Sequence, residues 1–173
     1  MAEVMVRMAE LAVASSADDV LVSLGLGSCI GVALIDRGNR AAGLAHVVLP
    51  DSREASAAAG SAKFADTAIP ALVAKLARLG APRGLLTAVL VGGAQMFLFG
   101  SQNGSRLEIG ARNERAVREA LRAAGIPVAV AVTGGSTGRT VRVRVGEGLV
   151  TCKEAGKGEY PIYGGETVLP KAA

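Results

Sequence analysis

A thiol and an imidazole stand where they can do covalent chemistry. Cys29 lies in the glycine-rich string Leu-Gly-Leu-Gly-Ser-Cys-Ile-Gly (24–31), and His46, the only histidine of the 173 residues, lies in Gly-Leu-Ala-His-Val-Val-Leu-Pro (43–50). A thiolate attacks acyl carbon, and an adjacent imidazole accepts the thiol proton near neutral pH. The pair is therefore predicted to be a nucleophile and its base. The alternative is a small buried cysteine and a core histidine.

The bend around the cysteine is rich in glycine, at Gly25, Gly27 and Gly31. Residues without side chains let a substrate approach the sulfur and let the backbone adopt positive φ. In such a bend the N–H groups of Ser28 and Cys29 are expected to face one small concavity, where they would stabilise a developing oxyanion. Gly27 and Ser28 are therefore the predicted oxyanion and substrate-binding residues.

A third group is needed to orient the imidazole. Ser23, six residues before the cysteine, is the candidate through its hydroxyl, and the alternative is an ordinary strand serine. Asp36 and Asp51 lie in turn-like segments and are expected to be solvated. The predicted catalytic set is thus Cys29, His46 and Ser23.

Composition excludes several classes of function. The net charge is +4, but Arg and Lys are scattered among acids, and the chain has three Phe, two Tyr and no Trp. Without a basic run that carries aromatic residues, nucleic-acid binding is not expected, whereas an acidic or polar protein partner is compatible with the charge. Two cysteines and one histidine without CxxC spacing argue against a disulfide framework and against a metal site.

The chain is expected to be cytoplasmic, without membrane insertion. No apolar run approaches the roughly 18–20 residues of a membrane span. The first residues, Met-Ala-Glu-Val-Met-Val-Arg, lack the basic-then-apolar order of a secretory signal.

Apolar patterning predicts strands and two main helices. The strands at 29–35 and 41–49, joined by the turn Asp36-Arg37-Gly38-Asn39, should form a hairpin that brings the cysteine and the histidine together. Helical periodicity runs over 64–79, with Pro70 inside it, and over 110–124; Gly80 and Gly125 should end these helices. The remaining predicted strands cover 20–24, 85–91, 126–132, 140–145 and 149–153.

These elements predict one α+β domain over residues 1–153, in which mixed β-sheets carry two packed helices. A loop is expected over 51–61 and a less regular stretch, with an Asn103-Gly104 turn, over 94–109. Residues 154–173 are expected to form a loosely structured C-terminal tail. Ile126 to Val132 is predicted to be a buried strand.

Several strings together resemble the CheD family of chemoreceptor glutamine deamidases, and the resemblance covers roughly residues 20–153 in order. The strings are Ser-Leu-Gly-Leu-Gly-Ser-Cys-Ile-Gly-Val (23–32), Gly-Leu-Ala-His-Val-Val-Leu-Pro-Asp-Ser (43–52), Lys-Phe-Ala-Asp-Thr-Ala-Ile-Pro (63–70), Gly-Gly-Ala-Gln-Met-Phe (92–97), Ile-Gly-Ala-Arg-Asn (109–113) and Gly-Gly-Ser-Thr-Gly-Arg (134–139). Each string alone is weak, and their order makes the set specific.

The resemblance implies that Cys29 is the nucleophile and His46 its base. Ser23 stands where the family has a threonine, so the hydroxyl is kept and the methyl is lost. Thr133 stands where the family usually has an acid. The implied fold is a layered sandwich of two sheets flanked by helices.

The implied reaction is hydrolysis of specific glutamine side chains on methyl-accepting chemotaxis receptors to glutamate, through a Cys–His thioester and without a cofactor. The product carboxylates become methylation acceptors and retune signalling. The resemblance also implies a phosphatase of the CheC type as a second partner.

Two other classes stay open at this point. A non-catalytic adaptor would bind receptors or a CheC-type phosphatase and keep the thiol with little turnover. A redox sensor would use Cys29 as a reactive thiol. Cys152, the second cysteine, is predicted to be a buried strand residue.

Overall fold

The computed structural model describes residues 2–53, 61–95 and 109–165, and within them the strands form two five-stranded sheets. The first sheet has the order β1-β3-β8-β9-β10 and the second the order β2-β5-β4-β6-β7. The strands of the first sheet are β1 (Ala2–Met5), β3 (Asp19–Leu26), β8 (Arg139–Arg144), β9 (Leu149–Glu154) and β10 (Glu159–Tyr163). Those of the second are β2 (Leu11–Ala14), β4 (Ile30–Asp36), β5 (Ala41–Val47), β6 (Thr87–Gly92) and β7 (Val128–Thr133).

Both sheets are mixed. β1 pairs parallel with β3, and β6 pairs parallel with β7, whereas the other pairings are antiparallel. The β4–β5 hairpin aligns Gly31 with His46 and ends at the pair Ile30–Val47. This register places His46 opposite Gly31, the second residue after Cys29.

The two α-helices, α1 (Ala65–Arg78) and α2 (Ile109–Ala124), pack on one face of the second sheet. The layer order is therefore first sheet, second sheet, helices, which confirms the predicted α+β sandwich. One apolar core lies between the second sheet and the helices, and another lies between the two sheets.

Period-two side-chain alternation assigns the faces of the central hairpin. Ile30, Val32 and Leu34 of β4 pack toward the helices, while Ala33 and Ile35 pack between the sheets. On β5, Leu44 packs between the sheets, so His46, two residues later, points to the same interior.

The helices end as the glycine signals predict. At the end of α1, the N–H of Gly80 donates to Ala77 and that of Ala81 donates to Leu76. Gly80 has φ +84°, so this is a Schellman motif. Gly125 and Ile126 repeat it behind α2, donating to Arg122 and Leu121. Pro70 lies within α1 without ending it.

Three expectations need correction. Glu159–Tyr163 is strand β10, paired with β9, so the prediction of a loose tail from residue 154 is wrong for this segment. β7 has a half-buried, half-exposed pattern because it is an edge strand, so the expected buried strand at 126–132 is wrong. Arg83–Leu85 forms a 3₁₀ turn before β6, which shortens the strand expected at 85–91.

Two N-terminal strands, β1 and β2, were not predicted, because four-residue segments carry too little periodicity to be recognised. The hairpin of β4 and β5, the two helices and the strands β8 and β9 are confirmed. Parts of the expected loop over 51–61 and of the stretch over 94–109, with its Asn103-Gly104 turn, lie outside the described residues.

Candidate active site

The chain crosses from one sheet to the other between Val6 and Glu10. The Val6 N–H still donates to Val22 of the first sheet at 2.8 Å, whereas Glu10 accepts the His46 N–H of the second sheet at 2.9 Å. A tight turn closes the crossing: the Arg7 N–H donates to the Glu10 carboxylate at 2.8 Å. This crossing therefore covers one end of the interior between the sheets.

Two predicted site residues meet at the carbonyl of Val6. The Ser23 hydroxyl donates to this oxygen at 2.8 Å, and His46 Nδ1 lies 3.3 Å from it. Because a carbonyl oxygen only accepts, the contact selects the tautomer with the proton on Nδ1. The neutral ring then has its lone pair on Nε2, the nitrogen a general base would use. The expected orienting contact from Ser23 to the ring is thus indirect, through Val6.

The His46 imidazole is held in its neutral form. Burial lowers its pKa, and the hydrogen bond to Val6 and the charge of Glu10 oppose that shift only in part. Nε2 is buried and has no hydrogen-bond partner among the residues that the structure describes. An unpartnered basic nitrogen in the interior is costly for stability and is what a base awaiting a proton requires.

Cys29 lies in the bend between β3 and β4 and is half-buried against the core between the sheets. Its carbonyl accepts the Gly93 N–H at 2.9 Å, and the Gly27 carbonyl accepts the Ala94 N–H at 2.8 Å. Gly92 has φ +120°, and a Cβ there would lie 2.2 Å from the Cys29 carbonyl oxygen. The end of β6 therefore supports the bend through glycines that permit this close approach.

The thiol and the imidazole lie toward the same end of the β4–β5 hairpin. Gly31 is the register partner of His46, and Cys29 lies two residues before Gly31, in the bend that precedes β4. No hydrogen bond joins the two side chains within the described part of the chain. Burial raises the pKa of the Cys29 thiol, and its own backbone N–H lowers that pKa in part. Thiol and imidazole are thus both neutral at rest.

The predicted oxyanion residues lie in the same bend. Gly27 and Ser28 are half-buried, next to the sulfur in sequence. The backbone N–H groups of Ser28 and Cys29 donate to no other residue within 2–53, 61–95 and 109–165. Gly31 has a different task from the one expected: a Cβ there would lie 2.9 Å from Leu26 Cδ1, so its missing side chain makes room for core packing.

A buried ion pair supports the bend from the first sheet. Arg139 Nε donates to the Glu154 carboxylate at 3.2 Å, and both side chains are buried. Arg139 also donates to the carbonyls of Gly92 and Gly134, at 3.2 and 2.7 Å. The guanidinium therefore links the Gly92-Gly93 segment, which contacts the Cys29 carbonyl, to Gly134 after β7. Arg139 and Glu154 lie at buried positions of β8 and β9. A charged residue at the inward position of an alternating strand was a signal that the sequence offered.

Asn113 supports the bend from the helix layer. Gly110 lets the first turn of α2 approach closely, since a Cβ there would lie 2.5 Å from the Gly93 carbonyl oxygen. One turn later, Asn113 Nδ2 donates to the carbonyls of Ser28 and Val48, at 3.0 and 2.9 Å. Sequence reasoning gave Asn113 no role, although a polar residue one turn before Val117 on the apolar stripe of α2 was a usable signal.

Two further residues clarify the surroundings. Thr133 donates to Glu114 Oε1 at 2.9 Å, and Arg118 donates to the same carboxylate oxygen. Cys152 is fully buried on β9, as predicted, and both cysteines are free. Burial, the largest effect, raises the pKa of the Cys152 thiol.

In the described residues, no helix is long and apolar enough to span a bilayer. The same residues contain no group of three or more His, Cys, Asp or Glu side chains that could hold a metal ion.

Comparison with known proteins identifies the family. The profile of the family described as CheD chemotactic sensory transduction matches residues 48–154, a range that begins after both Cys29 and His46. A protein of Moorella thermoacetica is 47% identical over 137 residues, which cover 79% of this chain and 82% of that protein. One of Lachnoclostridium phytofermentans is 41% identical over 157 residues, covering 91% and 96%.

A third relative, from Clostridium botulinum, is 42% identical over 160 residues, covering 92% of this chain and 98% of the relative. All three relatives are named probable chemoreceptor glutamine deamidase CheD. These alignments span 79–92% of this chain and 82–98% of the relatives.

Proposed function

We propose, because this chain belongs to the CheD family of chemotactic sensory transduction proteins, that it deamidates specific glutamine side chains of methyl-accepting chemotaxis receptors. The observation that carries the proposal is the Val6 carbonyl, which receives both Ser23 Oγ and His46 Nδ1. It leaves Nε2 of the ring unpaired, in a strand residue paired with Gly31, two residues after Cys29. A thiol and a base so arranged suit acyl chemistry.

The first half-reaction forms a thioester. The Cys29 thiol gives its proton to His46 Nε2 as the sulfur attacks the carboxamide carbon, and the carbonyl electrons move to oxygen. The backbone N–H groups of Ser28 and Cys29 would hold this oxyanion. When the oxyanion collapses, the C–N bond breaks and the imidazolium gives its proton to the leaving nitrogen. Ammonia departs and a glutamyl thioester remains.

The second half-reaction is hydrolysis. Neutral His46 takes a proton from water, and the hydroxide attacks the thioester carbon. The C–S bond then breaks, and the thiolate recovers its proton from the imidazolium. The products are a glutamate side chain and the starting thiol. No redox partner enters, so the reaction balances with water alone.

The shifted pKa values favour a neutral resting pair over a standing thiolate–imidazolium pair. Burial raises the pKa of Cys29 and lowers that of His46, so proton transfer accompanies the attack. General-base help supplies about 10²–10⁴-fold, and one oxyanion donor about 10²–10³-fold. The remaining acceleration must come from holding the amide against the sulfur, for which the small residues of the bend leave room.

The biological setting follows from the same proposal. Each new carboxylate on a receptor adds a negative charge and a methylation acceptor, which changes receptor signalling. The receptors are the partners, a CheC-type phosphatase is a second partner, and the reaction takes place in the cytoplasm without a cofactor.

The test compares wild-type protein with Cys29→Ala on a receptor cytoplasmic fragment. Wild-type protein is expected to release ammonia and to shift glutamine-containing peptides to the mass of glutamate, whereas Cys29→Ala binds the receptor without changing its mass. Cys152→Ala is the matched control and should keep full activity, because that thiol is buried on β9. Tight binding with unchanged receptor mass for the wild-type protein would instead favour the non-catalytic adaptor. Activity of Cys29→Ala equal to wild type would remove the nucleophile.

A further inference from the structure

The pairing of β4 with β5 ends at the residue that follows Cys29. Their last ladder pair is Ile30–Val47. Beyond it, the Cys29 carbonyl turns to the Gly93 N–H, while the Val48 N–H turns to the Lys63 carbonyl. Ladder hydrogen bonds therefore no longer fix the distance between Cys29 and His46.

Asn113 spans this gap. Its Nδ2 carries two hydrogens, and its two acceptors are the carbonyl before Cys29, at Ser28, and the carbonyl two residues after His46, at Val48. The asparagine is fully buried on α2, so helix packing fixes its position. One amide group thus joins the ends of the two strands, where a ladder bond would otherwise do so.

We infer that Asn113 is a positioning residue that sets the reach of the Cys29 thiol to His46 Nε2, an inference that rests on the proposed function. It hydrogen-bonds to neither reacting side chain, and it acts through the backbone on both sides of the pair. Loss of its two N–H donors lets the bend and the end of β5 move apart.

The two N–H donors are what an asparagine supplies here. Its Oδ1 is buried without a hydrogen-bond partner in the described residues, and the same face of α2 continues with buried Val117 and Leu121. A leucine would fill a similar volume without an orphan oxygen, but it would leave the Ser28 and Val48 carbonyls without this donor. Buried polar atoms without a hydrogen-bond partner are rare in folded proteins, and they are expected mainly at functional sites.

The test measures how strongly His46 affects the reactivity of Cys29. Iodoacetamide alkylation of Cys29 is followed by peptide mass spectrometry in four proteins: wild type, His46→Ala, Asn113→Leu and the double variant. In the wild-type background His46→Ala is expected to slow alkylation about tenfold or more, since the base no longer takes the proton. In the Asn113→Leu background the same change should alter the rate by less than about twofold.

Val117→Ala is the matched control, because it removes buried packing one turn along α2 without touching Ser28 or Val48. It should lower the melting temperature and keep the full His46 effect on alkylation. Alkylation of buried Cys152 reports unfolding in every variant. Should Asn113→Leu fail to fold, Asn113→Ala replaces it in the same cycle.

Receptor deamidation adds a second readout. Asn113→Leu should lower kcat about 10²-fold, as small misplacements of reacting groups do, with KM unchanged, because receptor contacts are intact. An undiminished His46 effect in Asn113→Leu would overturn the inference. If His46→Ala changes nothing in the wild-type background, the base role in the proposed function is overturned, and this inference falls with it. The two failures are therefore distinguishable.

Discussion

The helix-side core and the site end of the sandwich bury very different groups, although β4 and β5 contribute to both. The helix-side core is built from apolar side chains such as Ile69, Leu72 and Leu76. The site end is defined by the polar residues around the bend at Cys29 and the Val6 carbonyl: Ser23, Cys29, His46, Asn113, Arg139 and Glu154. Among the buried side-chain nitrogen and oxygen atoms of the described residues, only His46 Nε2 and Asn113 Oδ1 lack a hydrogen-bond partner. Both lie at the site end.

This difference separates stability from chemistry. Apolar burial on the helix side contributes to folding in proportion to area. At the site end, desolvated groups that cost stability are tolerated and are held by fixed carbonyls and one ion pair. Substitutions on the helix side should therefore lower stability without changing the activity of the folded protein, whereas substitutions at the site end should lower activity.

The largest effect is expected for Arg139→Met. It leaves Glu154 buried with only Lys157 as a cationic partner, and removing one member of a buried pair costs about 3–5 kcal/mol. Urea unfolding measures the loss. The double variant Arg139→Met/Glu154→Leu should recover most of the stability but not the activity, because the Gly92 and Gly134 carbonyls still lack their donor. Recovered activity in the double variant would contradict the supporting role of Arg139.

Next comes Leu72→Ala on the helix side. Leu72 is fully buried and packs over β5, with Leu72 Cδ1 2.7 Å from the position a Cβ on Gly43 would take. The cavity should reduce the free energy of unfolding by about 2–5 kcal/mol. Deamidation per folded molecule should stay at the wild-type level, measured well below the melting temperature. A fall in kcat at full folding would show that the two regions are not separable.

Ser23→Ala should have a smaller effect. It removes one of the two donors on the Val6 carbonyl, a hydrogen bond worth about 1 kcal/mol, so kcat is expected to fall roughly fivefold. Ser23→Thr keeps the hydroxyl and serves as the control, with near wild-type kcat. Equal activity of all three proteins would show that Val6 needs no help in orienting the ring.

The smallest effect concerns pH. Because burial lowers the pKa of His46, the acid limb of the kcat/KM profile should fall below the ordinary histidine value of about 6.5. The negative charge of Glu10 raises that pKa, so Glu10→Gln should lower it and move the limb to still lower pH. Asp18→Asn, in an exposed turn, is the control and should leave the limb in place. A limb that moves to higher pH would contradict the assigned sign.

Much of this molecule was predictable from local pattern. The β4–β5 hairpin, both helices with their glycine ends, and the alternating strand β8 follow from periods of 2 and 3.6 and from turn residues. Cys29 and His46 stand out by residue type alone. The short strands β1 and β2 and strand β10 were missed, because tertiary pairing rather than periodicity forms them.

The sequence by itself determined the chemistry available, since one histidine and two cysteines leave few combinations, and it determined the β4–β5 hairpin, which pairs His46 with Gly31. Only the tertiary structure decided what orients them. The Val6 carbonyl, the amide of Asn113 and the guanidinium of Arg139 reach the site from a sheet crossing, a helix and the opposite sheet. Contacts between residues so far apart in the chain leave no periodic trace, because they depend on how the layers pack.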